Sequence, residues 1–330
     1  MRNAWKFFAG LVAGLFVALA LHLIAFDLVL GVPTESSRWT FEVNRKKQML
    51  ARNSAPPRLL VVGGSASLFG ISARELEKQT GMATLNLSTH AALGTDYILN
   101  TVESEAKAGD TVLLILEYEL YTPNQKSDVW LDYLVARDPH YFHNLSLLDQ
   151  WDVFMLTSED RLIRGLKGWI NPRRYAEHKA GGGAYNADYV DQWGDQTFHP
   201  RSAASAQIER RPSRLAFPMP ARPAGLPLIQ SFCQWAKEHQ IRVLATYPNL
   251  LDQPELHTYP ARGNAQYIAN FYKEIGVPVV GDYTDALLPA DQFFDTVYHL
   301  IDEAALARTD RLAEKLKPLL SAINGVVQPR

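Results

Sequence analysis

The chain has little that would tie it together covalently or draw it to a highly charged partner. Its one cysteine, Cys233 in 330 residues, cannot form an internal disulfide, so the fold does not depend on oxidation. Neither sign of charge is in excess. The 33 basic and 35 acidic residues leave a formal charge of −2 and a pI near 6.5, which gives no global attraction to nucleic acid. There is no internal repeat and no low-complexity tract. Ligands at metal spacing are scarce: His140 and His143 stand three apart in His-Tyr-Phe-His, but no acidic or thiol partner stands at ligand spacing from them, and neither a metal nor a cofactor is expected.

Apolar residues, by contrast, make up 47% of the sequence, enough for a substantial core. The longest apolar run, Phe7 to Phe26, has His22 as its only strongly polar member. At 1.5 Å per residue it spans about 30 Å as a helix, the hydrocarbon thickness of a bilayer. A transmembrane helix is expected there. Ala18-Leu-Ala20 resembles a signal-peptide cleavage site, but apart from Asp27 the apolar stretch continues to Val32, which favours an uncleaved anchor. Arg2 and Lys6 precede the span and Arg38, Arg45, Lys46 and Lys47 follow it, so positive-charge counting does not orient it. Residues 1–33 are therefore read as the anchor, and residues 34–57 as a polar juxtamembrane spacer, helical around Thr40 to Ala51 and closed by Pro56-Pro57.

From residue 58 strand and helix patterns alternate. Strands are expected at Leu59 to Val62, Thr84 to Leu87 and Thr111 to Leu116, with helices at about Ala73 to Gln79 and Asp96 to Ala106. After Tyr121 the alternation stops for about a hundred residues, far beyond the short connections usual in compact domains. The insertion, about 123–226, has helical spacing between Val129 and Trp169 and becomes irregular from Gly181-Gly-Gly183 to Pro227. The alternation resumes with helix Leu228 to His239, strand Ile241 to Thr246, helix Gly263 to Ile275, strand Pro278 to Val280 and helix Asp302 to Leu320. Cys233 falls inside the first of these helices, where a packed thiol is expected. Five strands separated by helices predict an α/β domain over 58–330 with a flavodoxin-like doubly wound parallel sheet.

In Leu59-Leu-Val-Val-Gly-Gly-Ser65 an apolar run ends abruptly in two glycines and a serine. Glycine permits the sharp turn that leaves the next side chain exposed, and the carboxyl ends of parallel strands are where such sheets place reactive groups. At the far end, Phe293-Phe-Asp-Thr-Val-Tyr-His299 offers an Asp and a His just before the last helix. A serine hydroxyl becomes a nucleophile when a base takes its proton, and an imidazole serves when a third group fixes its tautomer. Ser65, His299 and Asp295 are the candidate nucleophile, base and orienting acid.

This order, with Asp and His close together near the C-terminus, resembles the SGNH (GDSL) hydrolase superfamily over roughly residues 58 to 320. It looks most like the membrane-anchored branch that handles acyl groups on envelope polymers, which includes the D-alanyl-lipoteichoic acid transfer protein and the alginate O-acetylation proteins. The resemblance implies a Ser-His-Asp site on a three-layer sandwich. Two departures stand out. The superfamily spaces its last pair Asp-x-x-His, whereas this chain has Asp295-x-x-x-His299 with Thr296 in the family's Asp position. The family's third block ends a strand with an oxyanion-donating Asn, and here Leu116-Glu-Tyr-Glu-Leu-Tyr121 has none.

The expected oxyanion donors are the backbone N–H groups of Ser65 and of Gly94, the latter matching the glycine of the family's second block. If the third strand extends to Tyr121, alternation sets Glu117, Glu119 and Tyr121 on one face, and Glu117, Tyr118 and Tyr121 become candidate substrate contacts. Trp130, Trp151, Trp169 and Trp193 are candidates for stacking on sugar rings. His199 is a rival base. Asn86-Leu-Ser88 and Asn144-Leu-Ser146 match glycosylation acceptors, although Asn86 lies in an expected buried strand. The resemblance implies a single-pass enzyme outside the cytoplasm, an O-acetyltransferase or acetylesterase of a polysaccharide, with a membrane-bound O-acyltransferase as a possible partner. The alternative is a catalytically silent member that binds polysaccharide or serves as a scaffold for the acyltransferase.

Overall fold

The computed structural model describes residues 2–122, 126–176, 183–199 and 213–324. The insertion's stretches 123–125, 177–182 and 200–212, with Gly181, Gly182 and Pro212, lie outside them. The chain divides into two compact units, Met1–Phe41 with Lys126–Lys179, and Glu42–Gln125 with Ala180–Arg330.

The first unit is helical. Helix α1 (Arg2–Val29) is long and apolar enough over Ala4–Val29 to cross a membrane. The start of the next helix, α2 (Arg38–Asn53), follows the turn after it. From Asp128 four helices follow in quick succession: α6 (Asp128–Arg137), α7 (Pro139–Asn144), α8 (Leu147–Leu156) and α9 (Glu159–Ile170), with α10 (Pro172–Ala176) after them. Punctuation in the sequence explains their boundaries. Ser127, Asp138, Ser146 and Ser158 each accept the backbone N–H three residues on, the standard satisfaction of an orphan donor at a helix start. Among the unit's buried charges is Asp132, which accepts from Thr34 and Ser36 and pairs with Arg161 at 2.6 Å.

The second unit contains the sheet. Strands β1 (Leu59–Gly63), β2 (Thr84–Asn86), β3 (Thr111–Ile115), β4 (Arg242–Thr246) and β6 (Val279–Val280) are all parallel, in the order β2-β1-β3-β4-β6. That is the flavodoxin-like order, which places its crevice beside the first strand. A two-stranded parallel ribbon pairs β5 (Leu250–Leu251) with β7 (Leu287–Leu288). Strands β1 and β3 are buried throughout, as continuous apolar runs must be when both faces are covered. One face packs Leu59, Val61, Leu113 and Ile115 against Leu76 of α4 (Ala73–Thr80) and Leu312 and Leu316 of α13 (Asp302–Asn324). Helices α5 (Thr95–Glu105) and α11 (Gly225–Glu238) pack on each other, with α5 on β1 and α11 on β4. Helix α12 (Tyr259–Glu274) precedes β6. Cys233 is buried in α11, and burial pushes its thiol up to about 12.

The sheet's lower end is fixed by a buried ion pair, Arg58 with Asp110 at 2.5 Å, both side chains fully enclosed. The edge strand β2 is clasped by the segment that returns from the insertion. Asn86 N–H donates to the Trp193 carbonyl at 2.8 Å, and Gly194, at φ +79°, lies so close to Asn86 that a Cβ would sit 2.4 Å from its carbonyl. Asp195 then caps α4, accepting from Ala73 N–H, Arg74 N–H and the Ser72 hydroxyl. Asn86 itself donates to the carbonyls of Ser67 and Ile71, so its glycosylation-like triplet is part of the core.

One expectation changes at this level. Strand β3 ends at Ile115 and the chain turns into a 3₁₀ helix over Tyr118–Tyr121, so two-residue alternation does not govern Glu117 to Tyr121. In the expected spacer, Lys47 is buried and donates to the Ser88 carbonyl; burial lowers its ammonium to about 7 against the opposing pull of Asp195 and Asp191.

Candidate active site

Ser65 stands where the glycine turn predicts, as the first residue of the short helix α3 (Ser65–Leu68), directly after β1 and Gly64. It is half-buried, while Ala66, Ser67 and Leu68 behind it are enclosed. Both glycines are required by close approach rather than by positive φ. A Cβ on Gly63 would lie 2.1 Å from the Ile115 carbonyl oxygen, and one on Gly64 would lie 2.5 Å from both Ala91 Cβ and Glu117 Oε1.

Glu117 is the structural partner of this turn. Its carboxylate is buried, with Oε2 accepting Gly64 N–H at 3.0 Å and Oε1 accepting Ala66 N–H at 2.8 Å. The amides on either side of Ser65 are thus tied to one carboxylate from the end of β3. Burial pushes Glu117 up to about 7, and the Ala66 and Gly64 amides pull it partly back. The expected role of Glu117 as a substrate contact is corrected: it faces the protein. Tyr118 and Tyr121 are also buried, Tyr121 sharing a 3.0 Å hydrogen bond with Tyr272. The 3₁₀ turn, by ending the strand early, directs them into the core.

The other half of the site is a tight loop. Phe293 and Leu300 pair across it, and Phe294 N–H donates to the His299 carbonyl at 3.1 Å. The loop sets Asp295 Oδ1 2.8 Å from His299 Nδ1, so the four-residue spacing forms the acid–imidazole pair without a helix. Tyr185, from the insertion, donates its hydroxyl to the other Asp295 oxygen and lies 3.2 Å from His299 Nδ1. Burial pushes Asp295 up, but the hydrogen bond and charge of His299 and the Tyr185 hydroxyl together hold it below the usual carboxylate range. Burial and Asp295 keep the Tyr185 phenol protonated.

Aromatic packing positions the imidazole beside the serine helix. The His299 ring lies 4.6 Å from that of Phe69, whose N–H donates to the Ser65 carbonyl at 3.0 Å. Asn249 donates to the Tyr298 carbonyl. With Nδ1 held by Asp295 and Tyr185, Nε2 is the His299 nitrogen left for chemistry.

His90 is a neighbour whose role the sequence did not signal. Its Nδ1 accepts Ala92 N–H at 3.0 Å, which places its proton on Nε2. Burial, and then the nearby His299, lower it to about 4, so it is neutral at physiological pH. Tyr185 was also missed, since a lone Tyr in a glycine-rich stretch carries no local pattern.

The remaining candidates fall elsewhere. Gly94 N–H donates to the Ala91 carbonyl at 2.9 Å, which engages the expected second oxyanion donor in a local turn. His199 has a carbonyl at each ring nitrogen, Leu300 at 2.8 Å and Gln196 at 2.6 Å, an arrangement suited to pinning a loop rather than taking a proton. No metal-ligating group of three or more His, Cys, Asp or Glu occurs among the described residues. Trp130 is buried, whereas Trp151 and Trp169 are exposed in the first unit and Trp193 is half-buried in the clasp on β2.

These features define an α/β protein with a flavodoxin-like parallel sheet, a serine at the carboxyl end of its first strand and an acid–histidine pair in the second unit. No protein-family model matches the chain and no curated protein matches it. Among solved structures, the chain is similar to one described as "a putative platelet activating factor from Streptococcus pneumonia", at 11% identity and a TM-score of 0.42, covering 92% of this chain and 99% of that one. At that identity and score the likeness assigns no role to any residue.

Proposed function

We propose that this chain is a membrane-anchored serine acyl-transfer enzyme acting outside the cytoplasm on an acyl ester, acetyl in the simplest case, of an envelope or secreted polysaccharide. The observation that carries the reading is the Asp295–His299 pair at 2.8 Å, with its ring packed on Phe69, one turn beyond Ser65. Ser65 Oγ attacks the ester carbonyl while His299 Nε2 takes its proton. The same proton passes to the departing alcohol, leaving an acyl-Ser65 ester. Water or a polymer hydroxyl then gives its proton to His299 and takes the acyl group, and His299 returns that proton to Ser65 Oγ, which restores the serine. Asp295 holds the imidazole's tautomer and stabilises its cation, and the Ser65 N–H is the backbone donor for the oxyanion. Anchor 1–33, spacer 34–57 and the domain from 58 with its insertion make up the proposed arrangement, with a membrane-bound O-acyltransferase as the proposed partner.

A second reading, a silent polysaccharide-binding or scaffold protein, is favoured by one observation. Glu117 engages the amides on both sides of Ser65, and Gly94 N–H is also engaged, which leaves few donors for an oxyanion. Covalent labelling of the full chain with a fluorophosphonate serine probe separates the two. The enzyme reading expects labelling that disappears in both Ser65→Ala and His299→Ala, each variant still unfolding in a single cooperative melt. A wild type that takes no label and turns over no acetyl-ester reporter would establish the scaffold reading instead.

A further inference from the structure

We propose that helices α8 and α9 of the insertion form a membrane-embedded foot, whose exposed apolar face lies in the lipid bilayer beside α1. The proposal rests on reading α1 as a membrane anchor, and every contact it uses lies within the first unit. His22 Nε2 lies 3.2 Å from the Phe154 carbonyl, and the Phe26 ring lies 5.6 Å from Phe154 and 5.5 Å from Phe142. Farther along, α9 comes so close to the chain that a Cβ on Gly165 would lie 2.6 Å from Val29 Cβ, and one on Gly168 would lie 2.7 Å from the Pro33 carbonyl. The buried and half-buried positions in the last turns of α1, Leu19, His22, Ala25, Phe26 and Val29, follow helical spacing and form the stripe that faces these helices.

The outer face of α8 has no cover among the described residues. Leu147 is 82% and Leu148 80% exposed, with Trp151 and Met155 exposed beside them. At 100° per residue these four fall within about a 100° arc, with the buried Val153 on the far side and Phe154 just outside the arc's edge. Ile163 and Ile170 extend the apolar surface along α9, with Arg164 and Lys167 on the flanking arc, the arrangement of a helix lying at a headgroup boundary. A water-facing surface of this kind would be unusual.

The depth argues for lipid as the occupant. His22 lies four residues inside the end of the Phe7 to Phe26 apolar run, about 6 Å at helical rise. An interfacial helix buries its apolar face about 5–10 Å into the bilayer boundary. The foot therefore meets α1 at the level where an amphipathic helix would rest, and α1 itself exposes Leu21, Leu23 and Ile24 around that level. Trp151 and Trp169 are of the residue type that membrane interfaces favour.

The test uses the full chain in nanodiscs of phosphatidylcholine and phosphatidylglycerol, in a Cys233→Ala background. An environment-sensitive dye is placed at Leu148→Cys, and in a separate sample at Leu15→Cys within the span. The proposal expects both dyes to emit at blue-shifted wavelengths, to lose intensity when brominated lipid replaces ordinary lipid, and to resist aqueous iodide. A Leu148 dye quenched by iodide and not by brominated lipid, while the Leu15 dye is quenched by lipid, would overturn this inference and leave the anchor intact. Protection of Leu148 from both quenchers would assign the face to a protein partner and also overturn it. A Leu15 dye untouched by lipid would remove the anchor reading, and the foot with it.

Discussion

The serine end and the histidine end of the candidate site are built by different means. Ser65 is held by backbone. Its strand is buried, its glycines have no room for a Cβ, and a single buried carboxylate grips the amides on both sides. The imidazole is held by side chains in an irregular loop: Asp295 and Tyr185 at one nitrogen, Phe69 and Phe294 against the ring. Damage to the first should therefore appear mainly in folding, and damage to the second mainly in rate.

The largest effect is expected at the histidine end, where His299→Ala should reduce acyl-ester turnover by roughly a thousandfold or more, with a stability loss of about 1–3 kcal/mol from emptying the buried ring site. Turnover and melting temperature measured on the same preparation check this, and a large melting shift with retained turnover would break the comparison. Asp295→Ala, at a partly exposed site, should cost about a hundredfold or more in turnover, with little change in the melt. At the serine end, Glu117→Gln should lower stability by about 1–3 kcal/mol in denaturant unfolding at pH 5. A glutamine offers one acceptor and one donor where two amides need acceptors. The smallest effect is expected from Tyr185→Phe, a several-fold loss of turnover and less than about 1 kcal/mol of stability, because one hydrogen bond to a partly exposed carboxylate is removed.

The pH dependence sharpens the same contrast. Glu117 has its folded pKa raised from 4.5 to about 7, so the folded state holds this proton more tightly than the unfolded chain does. Its contribution is fully present below pH 4.5 and is lost as the pH rises through about 7. The stability advantage of wild type over Glu117→Gln should therefore shrink between pH 5 and 8 by on the order of 3 kcal/mol. Urea midpoints across that range measure it. An advantage that stays constant across that range would mean that the carboxylate is ionised throughout.

The parallel sheet was legible because it is written locally. Apolar runs of five residues such as Leu59 to Gly63 and Thr111 to Ile115, separated by stretches of helical spacing, predict buried strands and crossover helices, and the first three strands fall within a residue of their expected bounds. Ser65 was legible for the same reason, since Gly-Gly-Ser at a strand end is a local pattern. The surroundings of the site were not. Tyr185 meets a carboxylate 110 residues farther on, and Asp195 reaches back 122 residues to cap α4; neither residue carries a pattern that signals a distant partner. Glu117 was placed on a strand face only if β3 ran on to Tyr121, and the apolar run, which ends at Leu116, does not show which way the next residue turns. Its inward turn follows from two unpaired amides beside Ser65 that only the fold brings to it.

The clasp on β2 has a consequence for self-association. A parallel sheet ends in edge strands whose open amides and carbonyls can recruit a strand from another molecule. At one edge the Trp193 carbonyl takes the Asn86 amide, and the tight approach of Gly194 leaves no room for a competing backbone. At the other, β6 pairs over only two residues, too short to template an addition. The returning end of the insertion thus guards this sheet against edge-to-edge aggregation, and a bulky side chain at Gly194 would open that edge even if the fold survived.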